Sequence, residues 1–317
     1  MRILDFNLIK SMQISARTVY DWCNDVWLIK DASILPAKVK MWQGESGRYI
    51  TMPCVLPSID IAGVKFIARN VDDRNGVPAR NSNIMIQHCS KMGLLAVCDG
   101  IWITNMRTGA IAAHSAITLA KRGAQTIGLM GLGIAAEAFF YFLGHMCKTS
   151  LTVKLLRYKD QAESFIERNS KYSQFKFEIV DDYDMICGCD IVVSAVGYAR
   201  DCFAKEEVFQ PGCLVIPIQT SGFQNCDLAF DKVIIDDYAH VASYRYYEQF
   251  KDKTVQMAEI VGKAKKGRDN DTQRIIAYCG GIALHDIYIA YKIYELAIER
   301  RLGSEITMAS PTERFWI

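Results

Sequence analysis

The sequence predicts an α/β protein that contains a doubly wound parallel sheet. One observation is an apolar run, Thr126–Met130, that leads directly into the glycine-rich turn Gly131-Leu-Gly-Ile-Ala-Ala136 and then into an apolar helical stretch. Another is the alternation of short apolar runs with helical patterns after residue 126. Before about residue 100, by contrast, apolar runs are separated by turn residues, which is typical of antiparallel strands.

The glycine turn has the chemistry of a dinucleotide-binding motif. Gly131 permits a tight turn, Gly133 lets the backbone approach a pyrophosphate, and Ala136 lets the helix pack closely on the strand. The helix N-terminus offers N–H groups and the positive end of its dipole to the phosphates. A tight strand-to-helix turn without a ligand is the alternative, and the parallel-sheet pattern downstream makes it the weaker one.

The other elements follow from apolar runs and turn residues. In the first hundred residues we expect strands at Arg2–Phe6, Pro36–Met41, Arg48–Pro53, Gly63–Ala68, Asn83–His88 and Gly93–Cys98, with turns at Gly44–Gly47 and Asp72–Gly76. In the parallel sheet we expect strands at Thr126–Met130, Leu151–Leu156, Phe175–Val180, Asp190–Ala195, Cys213–Ile218 and Lys232–Asp236, and a further strand at Ile275–Cys279. We expect helices from Ser15, from Ala110 to Ala120 and from Ile282 to Arg301.

Two cations follow the second strand of the predicted parallel sheet. A site for NAD carries an acidic residue about 20 residues after the glycines, where it binds the ribose 2′-hydroxyl. Arg157 occupies that place here, with Lys159 beside it. Because a cation suits a 2′-phosphate, we expect NADP(H) to be preferred, with NAD(H) as the second choice. The alternative is two solvated surface charges.

Bulk properties exclude several other classes of protein. A net charge of +2 provides no broad basic field for nucleic acid, and the most apolar window is better explained as strand plus helix than as a membrane span. The eleven cysteines include no C-x-x-C motif, and the N-terminus has no signal-peptide pattern, so we expect a cytoplasmic protein. The five histidines lack metal-ligand spacing, and we expect no metal.

Arg107 and Thr108 precede the predicted small-residue helix that starts at Ala110. A cation near a helix N-terminus is disfavoured by the helix dipole. We therefore expect Arg107 either to be solvated or to be placed there to meet an anion.

Several motifs together resemble the ornithine cyclodeaminase/μ-crystallin family. They agree with it in order and spacing over nearly the whole chain, and they are Gly63-Val-Lys-Phe-Ile, Asp99-Gly, Thr104-Asn-Met-Arg-Thr-Gly-Ala110, Lys232-Val-Ile-Ile-Asp-Asp-Tyr-Ala-His240, Glu259-Ile-Val-Gly-Lys and Gly281-Ile-Ala-Leu-His-Asp286. Three stretches are most similar to the branch that oxidises N-(2-amino-2-carboxyethyl)-glutamate to form 2,3-diaminopropionate. They are Arg48–Pro53, Met106–Gly109 and Glu259–Arg268.

The resemblance implies a Rossmann domain inserted in an α+β substrate-binding and dimerisation domain, and a homodimer. We place the boundaries at 1–110 plus 283–317 for the substrate domain and at 111–282 for the nucleotide domain. The family's carboxylate-binding cations correspond to Lys38, Lys65 and Arg107. Our expected substrate-binding residues are these three and Arg48, with Lys65 and Arg107 as the catalytic pair. Our expected cofactor-binding residues are Thr108, Gly131, Gly133, Ile134, Ala135, Arg157, Lys159, Val196, Gly197 and Gly281.

The chain departs from the family at the aspartate that moves the substrate's amine proton. That position is Gly222 here, and Asp227 corresponds to a different family position. Lys65, Ser221, a water molecule or the substrate itself could replace the aspartate. A second departure is Tyr278-Cys-Gly-Gly281, where relatives more often carry Asn-Pro or Ser-Val-Gly.

The leading hypothesis is an NAD(P)-dependent oxidoreductase acting on the Cα–N bond of an amino acid or N-substituted amino acid. It would run as amine oxidation followed by imine hydrolysis, or as imine reduction. One alternative is a cyclodeaminase that releases ammonia without net redox change. The other is a non-catalytic NADPH-binding protein of the crystallin kind.

Overall fold

The computed structural model describes residues 1–44, 47–70, 80–278 and 280–307. The chain divides into two compact units. The first contains Met1–Ile14, Ala32–Ile103 and Ala283–Ile317, and the second contains Ser15–Asp31 and Thr104–Ile282. The second unit is therefore inserted, in two pieces, into the sequence of the first.

The first unit is built on a seven-stranded sheet of mostly antiparallel strands. Its strands are β1 (Arg2–Leu4), β2 (Val39–Gln43), β3 (Gly47–Leu56), β4 (Ile61–Asn70), β5 (Arg80–His88), β6 (Leu94–Asp99) and β15 (Ser304–Glu305). They lie in the order β15-β1-β6-β5-β4-β3-β2, in which β1 is parallel to β6 and every other neighbouring pair is antiparallel.

The second unit is built on an eight-stranded parallel sheet. Its strands are β7 (Thr126–Met130), β8 (Leu151–Leu156), β9 (Phe175–Val180), β10 (Ile191–Ser194), β11 (Leu214–Pro217), β12 (Lys232–Ile235), β13 (Thr254–Gln256) and β14 (Ile275–Tyr278). They lie in the order β13-β12-β14-β11-β10-β7-β8-β9, so the strand order reverses between β7 and β10. Ligands of such sheets bind at the carboxyl ends of the strands at this switch point.

Eleven α-helices are assigned within the described ranges. They are α1 (Phe6–Ser11), α2 (Ala16–Asp25), α3 (Gly100–Leu119), α4 (Ile134–Met146), α5 (Gln161–Asn169), α6 (Tyr183–Cys187), α7 (Gln224–Ala229), α8 (Tyr238–Val241), α9 (Tyr247–Phe250), α10 (Met257–Val261) and α11 (Ala283–Glu299). Short 3-10 helices occupy Val26–Ala32, Pro57–Ile59, Glu206–Val208 and Lys251–Lys253. None of the helices in these ranges meets the length and hydropathy needed to cross a bilayer.

Helix α11 covers one face of the first unit's sheet. A Cβ added at Gly63 of β4 would lie 2.8 Å from Cδ1 of Ile287, so only glycine allows this close approach of helix to strand. On the covered face, Met52, Cys54 and Leu56 of β3 are buried. The alternation along β3 therefore sets which residues face the helix and which face away from it.

The doubly wound parallel sheet predicted from the sequence is confirmed, and most predicted strands are present with small shifts of their ends. The predicted helix start at Ala110 is wrong, because α3 already begins at Gly100. The Asp99 carboxylate accepts hydrogen bonds from the N–H groups of Ile101 and Trp102 and so starts the helix directly after β6.

Three smaller differences concern other segments. The first strand ends at Leu4 rather than Phe6, because Asp5 caps α1 by accepting a hydrogen bond from the Leu8 N–H. Strand β13 (Thr254–Gln256) was missed, because three residues are too few to show a period. The predicted turn at Asp72–Gly76 and the centre of the turn at Gly44–Gly47 lie outside the described residues.

Candidate active site

The glycine turn after β7 has the backbone geometry that a dinucleotide site needs. Gly131 adopts a φ of +76°, and a Cβ there would lie 2.6 Å from both the Ala195 carbonyl carbon and the Val196 nitrogen. Glycine at 131 is thus required both by the left-handed backbone and by the close approach of the chain that leaves β10. This contact brings Val196, a predicted cofactor residue, directly beside the turn.

The N-terminus of α4 is open to a ligand. Gly133 is its N-cap residue, no side chain caps the helix, and no atom lies within 4 Å of a Cβ built at Gly133. The N–H groups of the first turn, including those of Ile134 and Ala135, have no partner within a helix. Because the helix dipole adds partial positive charge at this end, the turn can hold a pyrophosphate.

Helix α3 packs tightly against α4 beside this turn. A Cβ added at Gly109 would overlap the backbone of Ala138, so the two helices approach almost to backbone contact. The hydroxyl of Thr108, the neighbouring predicted cofactor residue, donates to the Thr104 carbonyl at 2.6 Å. Gly197, which follows Val196, is exposed, and a Cβ added to it would meet no atom within 4 Å.

Arg157 stands directly after β8, as predicted, and is held by two carboxylates. Its Nε donates to Asp181 at 2.7 Å and its Nη1 donates to Glu163 at 2.7 Å. These bonds raise the pKa of Arg157, so it is a permanent cation. Lys159 lies nearby in a left-handed conformation with a φ of +52°, and its ammonium is 5.5 Å from the Tyr158 ring centroid.

Arg107 is not at a helix N-terminus, which corrects the sequence interpretation of its position. It is the eighth residue of α3 and is only 4% exposed. A Cβ added at Gly281 would overlap the Arg107 guanidinium, and Gly281 has a φ of +74°. The Gly281 N–H in turn donates to the buried carboxylate of Asp236 at 2.6 Å. Gly281, predicted as a cofactor residue, thus packs directly against the predicted substrate cation.

The other predicted substrate cations belong to the first unit. Lys65 is completely buried in β4, and its ammonium donates to Asp286 of α11 at 2.8 Å. Arg48 of β3 is half buried, with its guanidinium carbon 5.2 Å from the Trp42 ring centroid. Lys38 stands one residue before β2 and is half buried.

Gly222, where the resemblance implies an aspartate, lies at a position that is closed to any larger residue. Its φ is +90°, and a Cβ there would overlap the ring of Phe203. The Phe203 N–H donates to the Gly222 carbonyl at 2.9 Å, and its ring stacks on Tyr183 with centroids 5.2 Å apart. Beside it, the Ser221 hydroxyl accepts a hydrogen bond from the Ala199 N–H at 3.1 Å, which leaves its own proton available to donate.

Sequence reasoning missed two acids that support the candidate residues, Asp286 and Asp236. Both lie in stretches that carried the family resemblance, which was the available signal, but no local pattern links them to Lys65 or Gly281. It also missed a buried pair, Asp227 and Tyr278, in which the tyrosine hydroxyl donates to the carboxylate. Burial raises the pKa of Asp227 to about 6.

A search of the described part of the chain for metal-binding groups of histidine, cysteine, aspartate and glutamate finds none.

Comparison with known proteins identifies the family. The model of the ornithine cyclodeaminase/mu-crystallin family matches residues 32–301. The chain belongs to this family.

Three known proteins are similar to this chain. An archaeal alanine dehydrogenase, solved as a dimer with bound NAD, superposes with a TM-score of 0.86 at 20% identity and covers 98% of this chain and 99% of its own. The Delta(1)-pyrroline-2-carboxylate reductase of Thermococcus litoralis, solved with NADH and L-proline, superposes with a TM-score of 0.81 at 21% identity. The match covers 96% of this chain and 100% of the reductase. The N-((2S)-2-amino-2-carboxyethyl)-L-glutamate dehydrogenase of Staphylococcus aureus is 20% identical over 275 residues, 78% of each chain.

Proposed function

We propose that this protein is an NAD(P)-dependent oxidoreductase that acts on the Cα–N bond of an amino acid or N-substituted amino acid. The observation that carries the proposal is the open glycine turn at the switch point of the parallel sheet, where Gly133 leaves room for a pyrophosphate at the start of α4. The activities named for the relatives, an alanine dehydrogenase and a pyrroline-carboxylate reductase, both concern a Cα–N bond.

The expected cofactor residues around the turn hold the dinucleotide, which supplies hydride transfer when it is bound. Arg107, Lys65, Lys38 and Arg48 are the cations that we assign to the substrate, with the first two closest to the chemistry. A carboxylate removed from water needs paired cations, and Arg107 is both buried and fixed against Gly281. Holding the carboxylate orients the Cα–H bond, and orientation supplies a large part of such catalysis.

The candidates for moving the amine proton are Lys65 and Ser221 of this chain, a water molecule and the substrate itself. Gly222 cannot be replaced by an acid without displacing Phe203. A cyclodeaminase needs a proton relay for its cyclisation step, so the closed position at 222 supports a simple dehydrogenase or reductase over that alternative.

The deciding experiment follows the nicotinamide absorbance band of the purified protein with amino acids, N-substituted amino acids and imines, in both reaction directions. A change in absorbance that requires substrate supports the proposal, and Arg107→Gln should reduce it strongly. Ammonia release without any net change in absorbance would instead identify a cyclodeaminase. Dinucleotide binding with no turnover of any of these compounds would contradict the proposed activity and favour a binding protein.

For the cofactor, we propose a preference for NADP(H) over NAD(H). The position after β8 carries Arg157 instead of an acid, and a guanidinium matches the geometry of a phosphate. Asp181 and Glu163 orient this guanidinium but also balance its charge, so we expect a modest preference of roughly tenfold, about 1.4 kcal/mol.

Fluorescence titration with NADPH and NADH tests this preference. Arg157→Ser should remove most of it, whereas Arg122→Ser, which breaks a similar exposed pair with Asp271 in the same unit, should leave it intact. Tighter binding of NADH to the unaltered protein would make Arg157 a surface charge and contradict the preference.

We also propose that the protein is a homodimer that pairs through the sheet of the first unit. The sheet face opposite α11 carries exposed apolar residues from four strands, namely Val39, Met41, Tyr49, Phe66 and Met85. Tyr49 and Phe66 stack with centroids 5.7 Å apart. An apolar face of this kind on a folded unit is typical of an interface, and a second copy fits because the related alanine dehydrogenase was solved as a dimer.

Light scattering coupled to size exclusion measures the mass in solution. Phe66→Glu should convert a dimer to a monomer, whereas Met92→Glu, at an exposed turn of the same unit, should not. A monomeric unaltered protein would contradict the proposal.

For the location we propose the cytoplasm. The described residues include ten cysteines that are free thiols, and most of them are buried. Free thiols in this number are typical of proteins that work in a reducing compartment. Fractionation of the source cells, with detection of the protein by antibody, tests the location, and recovery from a secreted or envelope fraction would contradict it.

A further inference from the structure

Thr220 has a backbone conformation that is rare for its residue type. Its φ is +62°, in the left-handed region, although its side chain is branched at Cβ. Such a conformation costs free energy and persists only where the surrounding structure holds it. Gly222 also has a positive φ, so Ser221 stands between two left-handed residues. A functional role for Ser221 would account for the cost of this turn.

Hydrogen bonds fix the backbone on both sides of Ser221. The side chain of Gln224 closes the turn, because its Nε2 donates to the Thr220 carbonyl at 3.0 Å and its Oε1 accepts from the Gly222 N–H at 3.1 Å. The carbonyl of Gly222 accepts a further hydrogen bond from the Phe203 N–H at 2.9 Å. The turn is therefore held in the way that a functional side chain on a loop requires.

The Ser221 hydroxyl is half buried and can both donate and accept a hydrogen bond. The Ala199 N–H, which donates to it at 3.1 Å, occupies one of its two lone pairs. Its O–H group and its second lone pair are left for a ligand. The ammonium of Lys65, by contrast, donates to Asp286 at 2.8 Å and has no lone pair with which to accept a proton.

The turn lies at the carboxyl edge of the parallel sheet, where strands β14, β11, β10 and β7 are neighbours in this order. The segments that leave these strands carry, in the same order, Gly281, Ser221, Val196 and Gly131. Ser221 therefore lies between Gly281, which contacts the Arg107 guanidinium, and the glycine turn that we assign to the cofactor. A substrate that bridges these two places has its Cα–N bond in the same region.

We propose that the Ser221 hydroxyl contacts the substrate nitrogen and relays its proton to or from water. This inference rests on the proposed function and selects one group from the candidates named there. In imine reduction, the Oγ–H bond of Ser221 breaks as its proton passes to the nitrogen, and the π electron pair of the C=N bond forms the new N–H bond.

The other atoms and electrons of the step balance as follows. The imine carbon gains a hydride from NAD(P)H, which is oxidised to NAD(P)⁺. Solvent water returns a proton to Oγ, so the reaction takes up one proton and the hydroxyl is restored. Amine oxidation reverses each of these changes. Because Ser221 gains one proton as it loses another, it holds no net charge at either end of the step.

Two matched probes test the contact on the protein saturated with NADPH, where an amine cannot be oxidised. They are N-methyl-L-alanine and 2-methylbutanoate, which differ only in a nitrogen or a methylene group beside the Cα. Because a hydrogen bond to a charged nitrogen is a strong one, we expect the amine to bind at least about tenfold more tightly. Ser221→Ala should remove most of this ratio and leave the affinity for 2-methylbutanoate unchanged. Titration calorimetry measures both affinities.

Two further variants separate the hydroxyl from the shape of the turn. Ser221→Thr keeps the hydroxyl and should retain most of the ratio. Ser221→Cys keeps the size of the side chain but forms weak hydrogen bonds, so it should lose the ratio even if alanine perturbs the turn. Ser170→Ala, at the exposed end of α5 in the same unit, is the matched control and should keep the full ratio.

Turnover gives a second readout. On any imine reduced in the absorbance assay, Ser221→Ala should lower kcat by roughly a hundredfold, as expected for the loss of a proton-transfer group, and leave the Kd for NADPH unchanged. A ratio that survives both Ser221→Ala and Ser221→Cys, or equal losses for the two probes, would overturn the assignment.

The remaining outcomes distinguish this inference from the proposed function. Failure of both probes to bind would overturn the inference, while turnover of other N-substituted amino acids would leave the proposed function standing. If NADPH itself fails to bind, the proposed function fails, and this inference fails with it.

Discussion

The ammonium of Lys65 lies 2.8 Å from a carboxylate oxygen of Asp286, and neither side chain has any exposed surface. The two residues come from β4 and α11 and are 221 positions apart in the sequence. Each charge is buried at a cost that its partner offsets, so the loss of either removes that compensation from the other. The pair joins the proposed substrate cation to the helix that covers the sheet.

Replacing Asp286 with asparagine should lower the free energy of unfolding by about 3–5 kcal/mol, because it removes the carboxylate that offsets the buried charge of the Lys65 ammonium. Urea denaturation measures the change. Glu295→Gln on the same helix is the control, since its partner Lys292 is partly exposed and such pairs contribute less than about 1 kcal/mol. Equal stability of the two variants would show that the buried pair is not important.

Gly281→Ala should displace the Arg107 guanidinium, because the new Cβ would occupy its place and because alanine is strained at a φ of +74°. We expect a loss of stability of about 1–3 kcal/mol and a raised KM for the substrate. Gly280→Ala is the matched control, since no atom lies within 4 Å of its Cβ position. Urea denaturation and initial rates measure the two effects, and indistinguishable variants would contradict the contact.

Asp227→Asn should stabilise the protein at neutral and alkaline pH. Burial raises the pKa of Asp227 from 3.8 to about 6, so the folded state binds the proton more tightly than the unfolded state. The contribution of protonated Asp227 to the free energy of unfolding is complete below about pH 4 and is lost as the pH rises through 6. Asparagine keeps the hydrogen bond from Tyr278 without a charge, so the variant should gain about 3 kcal/mol over the unaltered protein at pH 8 and nothing at pH 4. Urea midpoints over this pH range measure the difference, and a constant offset would contradict the shift.

His114→Phe should protect the protein against mild acid. Burial in α3 lowers the pKa of His114 from 6.5 to about 4, so the fold contains the neutral ring. The neutral ring contributes at most about 3 kcal/mol to the free energy of unfolding. This contribution is present above pH 6.5 and is lost as the pH falls through 4. Phenylalanine retains the edge-on contact with Tyr20 and cannot titrate. Urea midpoints of both proteins between neutral pH and about pH 4 measure the difference, and equal losses in the two would contradict the shift.

Much of the second unit could be predicted because its signals are local. The apolar run of β7, the turn glycines and the start of α4 are contiguous, so their chemistry is visible in a dozen residues. The start of α3 was predicted ten residues too late, because Gly100 and the polar residues around Asn105 hide a helix that Asp99 starts. The contact of Gly281 with Arg107 could not be predicted, because it joins segments far apart in the chain.

The sequence by itself determined the parallel sheet and the glycine turn after β7, and it predicted the cations that we assign to the substrate. These follow from residue periodicity, turn chemistry and charge, which depend on neighbours along the chain. Only the tertiary structure decided which distant residues meet: Lys65 with Asp286, Arg107 with Gly281, and Arg48 with Arg69. Such meetings depend on strand register and on where a helix crosses a sheet, and both are set by packing between residues that are distant in sequence.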